Sequence, residues 1–598
     1  MVEVVLPRGT PAAFGCATLC AAFQETVAAQ GDVVALRTKG DRVRMTWREY
    51  GARVRALAAG FAGVGVGPGD TVGIVMCNRP EFNCVDAAVM HLGAAPFSMY
   101  VTSSPEQFAY FVRDSGTRVI VTERAQLARL RAMALRVEIF VCVDGDAEGA
   151  LSLHQLEARA RADFDFEAAW RAVRPETLLT ITYTSGTTGD PKGVEITHAN
   201  MVAEARAFQA VRQIEPGSRV ISYLPHAHVA DRFGTHYLPM FGGASVTACP
   251  DPRLLFEHAV EVRPTEFTGV PRVWEKLKAG IEAKLAAEPE EAKRKIVGAA
   301  IDAALQKVRL EQAGQAVPEA LAAGVARADA MVFGPLRAAV GLDQARSFFV
   351  GAAPSTRDVL EFFHAIGVAI CEVWGMSELS CVATSMPLGV NRIGTVGTAL
   401  PGVELRLAED GELLVRGPVV MRGYRNKPEQ TRETIDREGW LHTGDVATID
   451  REGFVTIVDR KKELIISAGG KNMSPANIEA RIKASSPLIG QAAVVGDRRP
   501  YNVALLVLDP DGAMAFCKAR GIDAPLAQLV EHAAVLDAVG AAIEGANGQL
   551  SRVEQVKCWT LLAAEWLPGG DELTPTMKLK RKAITAKYAD VIASMYES

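Results

Sequence analysis

Short apolar runs alternate with stretches of helical periodicity through the first part of the chain. Thr71–Met76 (TVGIVM) reads as a buried strand and Glu81–Leu92 as the helix after it. Arg118–Thr122 (RVIVT) and Ile139–Val143 (IFVCV) are strands of the same kind. Runs that are apolar throughout belong to strands covered on both faces, and their alternation with helices predicts a parallel sheet. Closer to the N-terminus, Leu19, Phe23, Val27 and Ala28 recur at helical spacing. The mildly apolar stretch Ala12–Phe23 has only Arg8 before it, so an amphipathic surface helix is predicted rather than a signal peptide. From about residue 275 to 335 the chain is rich in Ala, Glu, Lys and Arg, interrupted by Pro289 and Pro318, which predicts two or three solvent-laced helices. After Pro401 the pattern turns to strands and turns: Glu412–Val415, Thr448–Ile449 and Phe454–Val458.

The charged segment Asp459–Glu463 lies between two apolar runs and marks a domain boundary. The expected fold class is α/β. Residues 1–459 form a large domain of several subdomains, with mostly parallel sheets flanked by helices, and residues 460–598 form a small α+β domain. The length of 598 residues suits such a division. Apolar residues at 49% and charged residues at 23% exclude a disordered or fibrous chain. With 65 Lys and Arg against 70 Asp and Glu, the net charge of −5 offers no polycationic footprint for nucleic acid. The ten cysteines are sparse and none forms a C-x-x-C pair, so reduced thiols and a cytoplasmic setting are expected. No run of 18 apolar residues predicts a membrane span.

The strongest chemical signal is Tyr183–Val194 (YTSGTTGDPKGV), which follows the apolar strand Leu178–Thr182. Its glycines let the backbone turn tightly and approach a ligand, while several hydroxyls and Lys192 supply donors for phosphate oxygens. It is not the G-x-x-x-x-G-K-[ST] loop, because Gly193 follows Lys192. Further along, Glu378 is an acid beside a glycine turn, and Trp374 offers a flat face to a base. Asp445, in a Thr-Gly-Asp turn, can accept two hydroxyl hydrogen bonds, the geometry of a ribose diol; the Arg460 fork suits ribose or phosphate. His226 and His228 form an H-x-H pair that lacks a third ligand at useful spacing, which argues against zinc. No G-x-S-x-G elbow is present, which argues against a serine hydrolase.

YTSGTTGDPKGV resembles the phosphate loop of the adenylate-forming superfamily, which includes acyl-CoA synthetases, luciferases and peptide-synthetase adenylation domains. The resemblance covers nearly the whole chain, because other motifs follow in the same order. Gly351-Ala352-Ala353-Pro354 resembles the adenine-contacting turn, Trp374–Glu378 the aromatic-G-x-[ST]-E motif, and Thr443-Gly444-Asp445 the ribose motif. Asp459–Lys462 resembles the hinge and Leu573–Lys578 the catalytic-lysine segment. The Ser467–Pro475 run, the helical insertion and Leu573–Lys582 are most similar to bacterial long-chain acyl-CoA synthetases.

The resemblance implies ATP-dependent activation of a long-chain fatty acid to acyl-AMP, then transfer to coenzyme A with release of AMP. It implies magnesium carried with ATP on Glu378 and Thr184, and a mobile C-terminal domain that brings Lys578 to the site. The nucleotide contacts implied are Thr184, Ser185, Gly186, Thr187, Thr188, Gly189, Lys192, Gly351, Ala352, Trp374, Gly375, Ser377, Asp445 and Arg460. His228 falls on the acyl carboxylate side, and Lys462, Gly469 and Gly470 on the hinge and coenzyme A path. Two departures stand out: Met577 where glycine is usual, and His226 where an apolar residue is commoner. An acyl-AMP ligase loading a carrier protein and a non-catalytic relative are the rival readings. Peripheral contact with the inner face of the membrane and a homodimer stay open at this stage.

Overall fold

The computed structural model describes residues 4–184, 190–466, 472–574 and 577–597. Strand Thr71–Val75 lies between Ala95–Ser98 and Val119–Thr122, and Ile139–Cys142 and Leu151–Ser152 continue the sheet outward, every pairing parallel. Val119 and Val121 point into one apolar core with Phe82, Val85 and Val89 of helix Pro80–Met90. Ile120 points into another with Phe108, Phe111 and Val112 of helix Pro105–Ser115. Burial on both faces is the reason these runs are apolar throughout.

Two further sheets repeat the scheme. Glu266–Gly269, Ser347–Val350 and Ile370–Glu372 pair in parallel, as do Arg219–Ser222, Ser245–Ala248 and Val34–Thr38, with Arg44–Thr46 as an antiparallel edge. The hairpin Leu178–Thr184 and Lys192–Thr197 is antiparallel, and so is the sheet Glu404–Leu407, Glu412–Arg416, Leu441–Ile449 and Val455–Arg460. Parallel pairing thus dominates the chain up to residue 372, with the 178–197 hairpin and the Arg44–Thr46 edge as antiparallel exceptions, and the sheet of residues 404–460 is antiparallel throughout.

The N-terminal helix differs from expectation. Ala12–Gly15 is a separate 3₁₀ turn, and the helix proper runs Leu19–Ala29 with Thr18 capping Ala21. Leu19, Cys20, Ala22 and Phe23 are fully buried, so this is a core helix and not a surface one. Phe23 meets the rings of Tyr50 at 4.9 Å and Trp47 at 6.0 Å edge-on, contacts that a single-segment periodicity cannot reveal. The Ala-rich region does form helices, Pro271–Ala286, Glu291–Gln312 and Glu319–Ala328, and continues through a wider turn at Asp329–Phe333 into Gly334–Ala339. Ion pairs Lys278–Glu282, Lys295–Glu291 and Lys307–Glu311 line its outer faces at i,i+4 spacing. Trp274 anchors the first of these helices. It is fully buried, edge-on to Phe363 at 5.0 Å, and its indole N–H donates to the Phe349 carbonyl at 3.2 Å.

The smaller C-terminal domain is built on Asn502–Leu508, which pairs antiparallel with Ile489–Val495 and parallel with Val556–Leu562. Ala504, Leu506 and Leu508 face one core, and Val503, Leu505 and Val507 the other. Both cores draw only on residues from 465 onward, while those of the large domain stop at Ile457 among the described residues. The two bodies therefore have separate cores.

Candidate active site

The phosphate-loop residues Ser185, Gly186, Thr187, Thr188 and Gly189 lie outside the described residues, as do Gly469 and Gly470. Their flanks are held firmly. Thr184 faces Lys192 across the hairpin, with its Oγ1 donating to the Lys192 carbonyl at 3.4 Å, and the Tyr183 hydroxyl donates to Asp114 at 2.9 Å. The short strand Gly423–Tyr424 adds to the hairpin edge and sets Tyr424 opposite Val194. The Lys192 ammonium then sits 4.5 Å from the centre of the Tyr424 ring, whose hydroxyl donates to Glu378 Oε1 at 2.8 Å. Tyr424 links the loop to the acid, a role that nothing in its sequence surroundings announced.

Glu378 lies in the turn Ser377–Leu379 and is only 7% exposed, while Ser377 beside it is half-buried. The Met421 N–H donates to the Glu378 carbonyl at 2.8 Å, which ties this turn to the strand carrying Tyr424. Gly375 is needed for packing: a Cβ there would stand 1.9 Å from the Cys381 carbonyl oxygen. Among the described residues Glu378 has no ion pair, although it is buried.

The opposite wall is built differently. Asp445, 4% exposed, pairs across the sheet with Arg460, whose Nε donates to Oδ1 at 2.6 Å. The Trp374 indole N–H donates to Oδ2 at 2.8 Å. Burial raises the Asp445 carboxyl above its ordinary range, opposed by Arg460 and by the Trp374 hydrogen bond. Trp374 therefore has a function beyond its ring face: its buried edge fixes the acid. The Gly351–Pro354 turn opens at the C-terminal end of strand Ser347–Val350, where ligands of open α/β sheets bind, and Ala352 holds a left-handed φ of 71°.

His228 caps the short helix Val229–Arg232, accepting from the Ala230 N–H at 3.1 Å. The rest of that helix is locked into the core. Arg232 is fully buried on Asp86, and its guanidinium donates to Ser98 Oγ at 2.8 Å. Asp231 accepts from His226 Nδ1 at 2.6 Å, and His226 stacks on Phe82 with ring centres 3.5 Å apart. That pairing accounts for a histidine in place of an apolar residue. Among the described residues no group of three His, Cys, Asp or Glu is placed to hold a metal.

Lys578 rises from a tight hairpin in which Leu573 bridges Leu579 and the Lys578 N–H donates to Thr574 Oγ1 at 3.0 Å. Met577, before it, has a φ of 65°, the left-handed value that favours glycine. The residue is exposed overall, but crowding by protein atoms and then the Arg460 charge lower the pKa of its ammonium, while Asp445, Glu378 and Glu463 oppose the shift. His228 is pushed down to about 4, by burial first and then by Lys578. The lysine is thus in electrostatic reach of His228, of Glu378 and of the paired Asp445 and Arg460, which come from three separate segments. Lys461, not Lys462, is pinned at the end of the boundary strand, with pairs to Asp410 and to Glu412 at 3.2 Å; Lys462 is exposed next to it.

The chain matches the family model described as AMP-binding enzyme over residues 23–425, and that of the AMP-binding enzyme C-terminal domain over residues 462–598. A Mycobacterium tuberculosis protein named "Putative fatty-acid--CoA ligase fadD11" is 50% identical over 453 residues, 76% of this chain and 79% of that protein. The long-chain-fatty-acid–CoA ligase FadD15 of Mycobacterium bovis is 34% identical over 569 residues, 92% of each chain. The adenylation domain of a Mycobacterium chelonae carboxylate reductase shares the fold, with a TM-score of 0.73 at 19% identity over 100% of this chain and 94% of that one. On these matches the chain belongs to the AMP-binding enzyme family.

Proposed function

We propose that the protein activates a long-chain fatty acid with ATP and passes the acyl group to coenzyme A. In the first step a carboxylate oxygen of the fatty acid attacks the α-phosphorus of ATP. The bond to the β-phosphate oxygen breaks and pyrophosphate leaves. Negative charge on the phosphates is met by the hydroxyls and backbone N–H groups of loop 184–193, by Lys192 and by Lys578. Asp445 holds the ribose hydroxyls, and Trp374 and Arg460 hold Asp445 in place. Glu378 and Thr184 would hold the magnesium that accompanies ATP: a buried carboxylate fixed by a tyrosine hydroxyl, with no cation partner of its own among the described residues, suits a hard ion that takes its other ligands from phosphate and water. Magnesium supplies neutralisation of phosphate charge when bound.

In the second step the coenzyme A sulfur attacks the acyl-adenylate carbonyl, AMP leaves, and the thiol proton passes to solvent. The two steps need different groups at one place. We assign the change to a rotation of the C-terminal domain about the hinge near Lys462, with Gly469 and Gly470 giving the pantetheine arm close passage along the backbone. What supports the reading is that Lys578, in the C-terminal domain, lies within electrostatic range of Arg460, Asp445, Glu378 and His228. No helix among the described residues is long and apolar enough to cross a membrane. Membrane contact rests on substrate chemistry and is tested by vesicle co-sedimentation; dimer formation is tested by sedimentation velocity.

The deciding experiment measures pyrophosphate release by the purified protein over carboxylates from acetate to a C18 fatty acid, followed by thioester formation with free coenzyme A or a holo-carrier protein. Release that peaks with long chains, and transfer to free coenzyme A, is the expected result. Release with none of them, or transfer to the carrier protein alone, overturns the reading.

A further inference from the structure

Two ion pairs join the domains. Arg272 Nη2 meets Asp509 Oδ2 at 2.5 Å and Lys276 Nζ meets Asp511 Oδ2 at 3.0 Å. Among the described residues these are the ion pairs that link the chain before residue 460 to the chain after residue 472. Both cations stand on helix Pro271–Ala286, four residues apart and hence on one face. Trp274, fully buried between them, fixes that helix to the core of the large domain. Both acids stand at the start of helix Pro510–Arg520, where Asp509 also caps the helix by accepting from the Gly512 N–H at 2.9 Å.

Asp509 directly follows the central strand Asn502–Leu508 of the C-terminal domain. The same strand sends Leu505 into the core that contains Leu573, the first residue of the Lys578 hairpin. Holding Asp509 therefore holds the sheet that supports Lys578. We propose that Arg272 and Lys276 are positioning residues for acyl-adenylate formation: their pairs with Asp509 and Asp511 keep the C-terminal domain in the orientation that delivers Lys578. The proposal rests on the two-step reading above. Rotation for the second step must break both pairs, because their partners lie on opposite domains. The strength of the pairs suits a reversible hold. The side chains of Lys276 and Asp511 are 49% and 72% exposed, and those of Arg272 and Asp509 are 30% and 12% exposed. One exposed and one partly buried pair bias an equilibrium without freezing it.

The test compares half-reactions in the full-length protein. Lys276→Glu places like charges together at exposed positions, where the fold tolerates change; Arg272→Gln removes the more buried pair while Asp509 keeps its cap. Each should slow acyl-adenylate formation from fatty acid and ATP by about five-fold, and together by more. The rate of thioester formation from supplied acyl-adenylate and coenzyme A should hold or rise. Lys276→Glu combined with Asp511→Lys should restore the first rate. Fluorophores placed on the two domains should report a larger mean separation in the single variants and recovery in the double one. Added salt should slow the first half-reaction of the wild type and change the variants less. If the variants match the wild type in both half-reactions, or lose the second while keeping the first, these residues do not position Lys578. A wild type that releases no pyrophosphate with any carboxylate would instead overturn the two-step reading itself.

Discussion

The two walls of the cleft each bury a carboxylate, and they satisfy it in opposite ways. Asp445 receives a guanidinium and an indole N–H, so its charge is balanced within the protein and its oxygens are held for further hydroxyl donors. Glu378 receives a tyrosine hydroxyl and no ion pair among the described residues. A buried charge without a partner is costly, and the protein keeps one where an external cation can supply what the fold omits. On the proposed function, the difference separates a wall that recognises a neutral diol from a wall that receives a charged ligand. Lys578, from the other domain, approaches both.

Removing the shared lysine should have the largest effect. Lys578→Ala is expected to slow acyl-adenylate formation by ~10²–10³, the usual cost of one preorganised charge-stabilising donor. Thioester formation from supplied acyl-adenylate should stay near the wild-type rate; equal loss in both half-reactions of a folded variant would show that Lys578 serves more than one orientation. Next comes the unbalanced wall. Glu378→Gln keeps the shape and the acceptor for Tyr424 but removes the charge, and adenylation should drop by about 10² with partial rescue by excess magnesium. Its melting temperature without nucleotide should hold or rise, because a buried charge lacking a cation is lost. Full activity at limiting magnesium would remove Glu378 from the metal site.

Much of this cleft was legible in the sequence because its parts are local. A strand buried at every position, as in Thr71–Val75, reports two covered faces, and the glycine and hydroxyl content of Thr184–Gly193 carries its resemblance to a phosphate loop. What stayed hidden is pairwise and distant. Tyr424 reaches Glu378 only because Gly423–Tyr424 joins the edge of a hairpin more than 200 residues earlier in the chain. The donor role of Trp374 depends on Asp445, 71 residues away. His226 looked misplaced until Asp231 and Phe82 were seen around it, and the N-terminal helix looked superficial until Trp47 and Tyr50 were seen to cover it. Identity of type is written locally; satisfaction of a buried polar group is not.

The balanced wall yields the next prediction. Asp445→Ala should raise the KM for ATP by roughly ten- to a hundred-fold, since hydrogen bonds to a charged group are worth ~1.5–3 kcal/mol. Trp374→Phe keeps a ring and removes only the N–H donor, so the KM should rise by roughly two- to ten-fold. Equal effects in the two variants would mean that the Trp374 face, and not its edge, carries the interaction. A third buried acid sharpens the contrast. Among the described residues Glu204 has neither cation nor hydroxyl: Oε1 accepts from the Val382 N–H at 2.8 Å and Oε2 has no hydrogen-bond partner. Burial raises its carboxyl well above 4.5, so the folded protein keeps a proton that the unfolded chain releases as pH rises through that value. Stability is lost with rising pH on this account. Glu204→Gln should match the wild type in Tm near pH 4 and exceed it by a growing margin toward pH 8. A constant difference across that range would show that Glu204 ionises when folded.

The smallest effect concerns the turn that presents Lys578 to both walls. Met577 holds a φ of 65° and is 46% exposed, so its side chain contributes little packing while its backbone sits where a Cβ is crowded. Left-handed residues other than glycine cost about 1–2 kcal/mol each. Glycine removes that cost but loses more conformational freedom on folding, by roughly 0.5–1 kcal/mol. Met577→Gly should therefore stabilise the hairpin by at most about 1 kcal/mol. Met577→Ala, which keeps the crowding and loses the side chain, should not. The readout is protection of the Lys578 and Met577 N–H groups against hydrogen exchange, because both close the turn onto Thr574. Protection that rises with glycine and not with alanine ties the effect to the backbone angle. Adenylation by the glycine variant should stay within about two-fold of wild type, since the turn keeps its shape and only its strain changes. Equal protection in the glycine and alanine variants would show that the left-handed angle is borne without cost, and that the methionine is tolerated because the turn is held by Leu573 and Leu579 on either side.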